Sequence, residues 1–87
     1  MKSNRVKIEL HHLEFEALKA NIMISDMCSS YLASAKRQGE YIVLDISIRE
    51  ANDFAGWVAA EANHAKSEVE SELLNSACDA IELYIYQ

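Results

Sequence analysis

The side chains able to do chemistry in this 87-residue chain are few and poorly spaced for it. Possible metal ligands are His11, His12, His64, Cys28 and Cys78, with the carboxylates Glu14 and Glu68 nearby. None follows the His-Glu-x-x-His or Cys-x-x-Cys spacing that brings two donors to one side of an ion. His64 and Glu68 stand four apart, which on a helix supplies two ligands and no more. Ser25, Ser29 and Ser30 cluster near Cys28 and Asp26, but within a helical stretch. Serines there lack the strained turn and the oxyanion donors that activate a nucleophile. The two glycines, Gly39 and Gly56, are seventeen positions apart and cannot form a phosphate-cradling loop. The expectation is a non-enzymatic chain with no catalytic residues, no metal and no cofactor.

The strongest pattern is one of charge. Glu61, Glu68, Glu72, Asp79 and Glu82, with Asn75 among them, recur at helical spacing toward the end of the chain. Residues 61–87 hold six acids against one lysine, Lys66, whereas residues 1–37 hold six basic and four acidic groups. The net charge is -6 and the pI is near 4.9. Phosphate recognition needs clustered Lys and Arg, so this balance argues against direct nucleic-acid binding, and neither long helical stretch offers a basic recognition helix. An acidic helical face suits a basic protein partner. Trp57, Tyr84 and Tyr86 join the face as candidate anchors, since Trp and Tyr carry much of the energy of protein interfaces. Tyr41 is expected to share a surface with Tyr84 and Tyr86.

These side chains must be positioned by a small number of elements. Tyr41 to Ile48 alternates, with Ile42, Leu44, Ile46 and Ile48 on one side and Tyr41, Val43, Asp45 and Ser47 on the other. That period of two, with β-branched residues, marks a half-buried strand. Arg5 to Leu10 alternates likewise, with Val6, Ile8 and Leu10 inward and Arg5, Lys7 and Glu9 outward, as in a strand with a wet face. Between them, Leu13 to Arg37 reads as one helix. Its main stripe is Leu13, Ala17, Ala20, Ile24, Met27, Tyr31 and Ala35, with Phe15, Leu18, Ile22 and Leu32 beside it. Around Ile22, Met23, Ile24 and Met27 the helix is apolar nearly all round, so these four are the candidate self-association residues.

A further helix begins near Glu50, with Ala51, Phe54, Ala55, Val58, Ala62 and Ala65 as its buried stripe. Val69, Leu73, Ala77, Ala80 and Tyr84 continue that stripe, yet Ser67 and Glu70 have the spacing of a helix start. One helix over residues 50–84 would run ~50 Å, too long for a compact domain of this size, so a break near His64 is favoured.

At 51% hydrophobic the chain supports a core. Two cysteines are too few for a disulfide framework and read as buried free thiols. No apolar run approaches the ~20 residues of a membrane span, and the expected location is cytoplasmic. The fold expected is α+β, a single domain over residues 1–87 in the order β-α-β-α-α. Its two-stranded sheet is covered by helices or extended by a second copy to four strands. Parallel and antiparallel pairing both remain open. The function expected is that of a small acidic inhibitor or adaptor of phage or mobile-element type, including anti-defence proteins, with a homodimer favoured. The alternative is a structural or assembly subunit whose only partner is itself.

Overall fold

The computed structural model describes residues 4–86. It is α+β: β1 (Arg5–His11), α1 (His12–Ala20), α2 (Ile22–Met27), α3 (Ser29–Ala33), β2 (Lys36–Gln38), β3 (Tyr41–Ser47), α4 (Ile48–Asn63) and α5 (Glu68–Ile85). The sheet is antiparallel, in the order β1-β3-β2. The long alternating runs pair in register, Ile8 opposite Leu44 and Leu10 opposite Ile42. Their inward sides form one apolar floor of Ile8, Leu10, Ile42, Leu44 and Ile46, all buried. The helices cover this floor; on the other face Lys7, Glu9 and Tyr41 are exposed, and among the described residues no helix lies over it.

The sheet has three strands, not two, because the first helical stretch stops sooner than its periodicity suggests. Lys36 and Arg37, expected in its last turn, instead form β2 together with Gln38, and the three pair with Val43, Ile42 and Tyr41. Gly39 has φ +66° and, with Glu40, makes the two-residue connection to β3. A glycine at the first central position of such a hairpin is what a type II′ turn requires.

The stretch expected as one helix is three short ones. Asn21 leaves helical geometry at φ -79°, ψ 120°. Its Oδ1 accepts from Ile24 N at 2.9 Å, and its Nδ2 donates to Glu61 of α4 at 3.1 Å. An asparagine that satisfies the first free amides of a new helix ends the old one. Cys28, at φ -115°, ψ 22°, makes the second break. The breaks change the buried phase: Phe15 and Leu18 of α1 enter the core, while Leu13, assigned to the main stripe, is exposed.

The remaining helices start on side-chain caps. His11 caps α1, its Nδ1 accepting from Leu13 N at 3.2 Å, while Glu14 Oε1 accepts from His11 N at 2.8 Å. Ser47 and Glu50 make the same reciprocal pair at the start of α4, at 3.0 and 2.9 Å. The break expected near His64 is present, and the Ser67 hydroxyl accepts from Glu70 N at 3.1 Å to begin α5. The buried side of α5 is Leu74, Ala77, Cys78 and Ile81. That is one position out of phase with the expected stripe, and Val69 at its head is exposed.

Candidate functional site

At 100° per residue, Glu68, Glu72, Asp79 and Tyr86 of α5 and its C-cap fall within about 40° of one another on the side opposite Leu74 and Ile81. All four are exposed, as is Asn75. Leu83 lies at the border of this face and is 62% exposed, and Tyr86 is 75% exposed. Glu82 stands on the α4 side of the same face, where its Oε1 accepts from the Cys78 thiol at 3.1 Å. The helix holds five carboxylates and no basic residue. Among the described residues the ion pair within 4 Å is Arg5–Asp45, on the open face of the sheet, so the α5 carboxylates project into water without a cationic partner.

Glu61 and Trp57, grouped with this face on sequence, lie elsewhere. The Cys78 and Ser71 side chains of α5 reach Ala55 O and Ala62 O, which fixes the flank of α4 that meets α5. Trp57 is on the other flank, half-buried between Asp53 and Glu61 in helical position. There Asp53 meets Tyr31 of α3, and Glu61 meets Asn21. Trp57 lines a shallow cleft with Asn52, Asp53 and Gly56. Tyr84 is half-buried and packs against the core. Tyr41 belongs to the open sheet face, edge-on to His11 at 5.8 Å between ring centroids, so the three tyrosines do not share one surface.

Of the self-association candidates, Ile22 is 83% exposed and Met23 and Met27 are also exposed. Ile24 is not available: it is 0% exposed and part of the core. The capping bond from Asn21 turns this short helix so that only one of its apolar sides faces inward. Ile22 and Met23 border an open cleft of about 270 Å³ with Glu61, His64, Lys66 and Glu70. A second cleft, of about 460 Å³, runs between α1 and α3 and is lined by Phe15, Lys19, Ser25, Ser29, Leu32, Ala33 and Ala35.

The ionisable groups whose protonation the fold perturbs are not themselves among the side chains that line these clefts. Burial, and then the Asp53 carboxylate, push the Cys28 thiol up to about 11. Burial and the bond to Glu82 push the Cys78 thiol up to about 12. The bond to Asp53 raises the Tyr31 phenol to about 12. The amide and hydroxyl of Ser47 hold the Glu50 carboxyl below its ordinary range. Both thiols are free, and both are kept in the weakly reactive protonated form. Among the described residues no three His, Cys, Asp or Glu side chains converge as a metal site, and no helix is long and apolar enough to cross a membrane. Comparison with protein-family models, with curated proteins and with solved structures finds no match to this chain.

Proposed function

We propose that this chain is a non-enzymatic binding protein that docks the acidic face of α5 on a basic protein surface, as an inhibitor or adaptor acting in the cytoplasm. One observation carries the reading: Glu68, Glu72 and Asp79 form one exposed row along α5, without an ion pair among the described residues, and the exposed Leu83 and Tyr86 stand at its C-terminal end. Like charges at helical spacing destabilise a helix by a few tenths of a kcal/mol per pair. Asp79 and Glu82 also lie in the C-terminal half of α5, toward the negative end of its dipole, which favours cations. Glu68 and Glu70 serve the fold at the opposite end, whereas Asp79 gains nothing from it. A basic partner relieves both costs. Leu83 and Tyr86 supply apolar contact at the end of that row, next to Asp79 and Glu82, and aromatic and apolar anchors carry much of the energy of an interface. Inhibitors of phage or mobile-element type, anti-defence proteins among them, are the class this small acidic design fits.

The competing reading is an assembly subunit joined to its own copies through Ile22, Met23 and Met27, favoured by the exposure of those three side chains. The two separate in a capture experiment from bacterial lysate at low and high salt, run with the wild-type chain and with E72K/D79K. Docking through α5 predicts a basic protein retained by the wild type at low salt, released at high salt and absent from the variant. Recovery of the chain alone from both supports the assembly reading.

A further inference from the structure

We propose that β1 pairs antiparallel with β1 of a second copy, so that two three-stranded sheets become one of six strands. The pairing rests on the hydrogen bonding and charges of the sheet edge and does not require a partner on the α5 carboxylates. The sheet order β1-β3-β2 leaves two edges. The β2 edge is three residues long and all polar, Lys36-Arg37-Gln38, the kind of edge that resists pairing. The β1 edge is seven residues long.

The hydrogen bonding shows which groups this edge presents. Ile48 N donates to Asn4 O at 2.6 Å, and His12 N donates to Glu40 O at 2.9 Å. Bonded pairs alternate along an antiparallel ladder. The residues of β1 turned toward β3 are therefore Val6, Ile8 and Leu10. Lys7 and Glu9 turn their N–H and C=O groups outward, to the free edge.

Two outward residues of one chain must meet two of the other. With the two-fold axis at Ile8, Lys7 faces Glu9 of the second copy and Glu9 faces its Lys7. Both backbones then exchange hydrogen bonds, and two opposite-charge pairs form on the open sheet face. In the same register Val6 lies opposite Leu10 of the second copy, and Ile8 opposite Ile8, on the core side. The apolar floor and the helical layer thus run on without a change of face.

The helix over this edge offers a matching flank. Among the helices α5 makes the most extensive packing against β1, and it lies beyond α4 on that side. Val69, Ser76 and Leu83 follow one another at seven-residue steps along α5, opposite the side that meets α4. Ser76 donates to Glu14 at the start of α1, beside the exposed Leu13. Val69 lies on this line and is 67% exposed, an apolar side chain that the single chain leaves uncovered.

The test is the oligomeric state of the full chain by light scattering and sedimentation across a concentration series. The wild type is expected to be a dimer. Lys7→Pro removes an N–H that β3 does not use, a position where an edge strand tolerates proline, and is expected to give a folded monomer. Lys7→Glu sets Glu against Glu and is expected to weaken the dimer about tenfold. K7E/E9K restores the opposite-charge pairs and is expected to recover the wild-type constant, which keeps the proposal testable should Lys7→Pro fail to fold. A wild-type monomer at every concentration overturns the proposal. So does a dimer whose dissociation constant is the same in Lys7→Glu and K7E/E9K as in the wild type.

Discussion

The Tyr31 hydroxyl donates to Asp53 Oδ2 at 2.8 Å, while the Tyr31 ring meets Phe54 edge-on at 5.7 Å between centroids. One side chain thereby ties α3, a helix of five residues without a side-chain cap, to the middle of α4. A helix this short does not persist alone, so its place depends on such contacts.

That bond makes stability sensitive to alkali. The Tyr31 phenol is raised to about 12 by Asp53, and Cys28 and Cys78 are raised to about 11 and about 12, chiefly by burial. For each group the folded state holds its proton more tightly than the unfolded state. The stabilisation is complete below the unfolded-state values and is lost as pH rises through the folded ones. Thermal melts are expected to show stability falling between about pH 9 and pH 12. Tyr31→Phe is expected to cost roughly 1 kcal/mol at neutral pH and to flatten the fall above pH 10.

Asn21 closes one helix, opens the next and bonds Glu61. Asn21→Ala is expected to destabilise the chain by about 1 kcal/mol, seen as a melting point lower by about 4–8 °C. An unchanged melting point would mean that the α1–α2 break does not depend on this side chain.

Neighbouring apolar residues of α2 are expected to differ sharply. Ile24 is fully buried and Met23 is exposed. Ile24→Ala is expected to cost about 2–5 kcal/mol in denaturant unfolding, whereas Met23→Ser stays within about 0.5 kcal/mol. Equal losses would contradict the orientation of α2.

The acidic face sets stability against binding. Replacing Glu72 and Asp79 by lysine removes like-charge repulsion and places a cation nearer the negative end of the dipole. E72K/D79K is expected to melt higher at low salt, by about 0.5 kcal/mol, with the gain fading as salt rises. A loss of stability would assign these carboxylates a role in the fold.

The two main strands and the last two helices were legible because their signals are local. Ile42, Leu44 and Ile46 alternate over a full strand, and Ser67 announces α5 directly. β2 was not legible, since three polar residues carry no period. The break at Asn21 was hidden because its second bond goes to Glu61, forty residues away. In α5 the expected stripe Val69-Leu73-Ala77-Ala80-Tyr84 and the buried one, Leu74-Ala77-Cys78-Ile81, share Ala77 and otherwise run one position apart. Packing against Ala55 and Ala62 selects the second. The α5 part of the acidic face was legible because its members share one helix. Glu61 and Trp57 were misplaced with it because they belong to α4: its buried stripe was legible, but which of its flanks meets α5 is set by tertiary packing.

Docking rests most on the α5 carboxylates, and the direct measurement is the affinity of the captured basic partner for the wild-type chain and for E72K/D79K at low salt. We expect the variant to bind about 100-fold more weakly, about 2.7 kcal/mol, with its fold and oligomeric state unchanged. Equal affinity would contradict docking through α5.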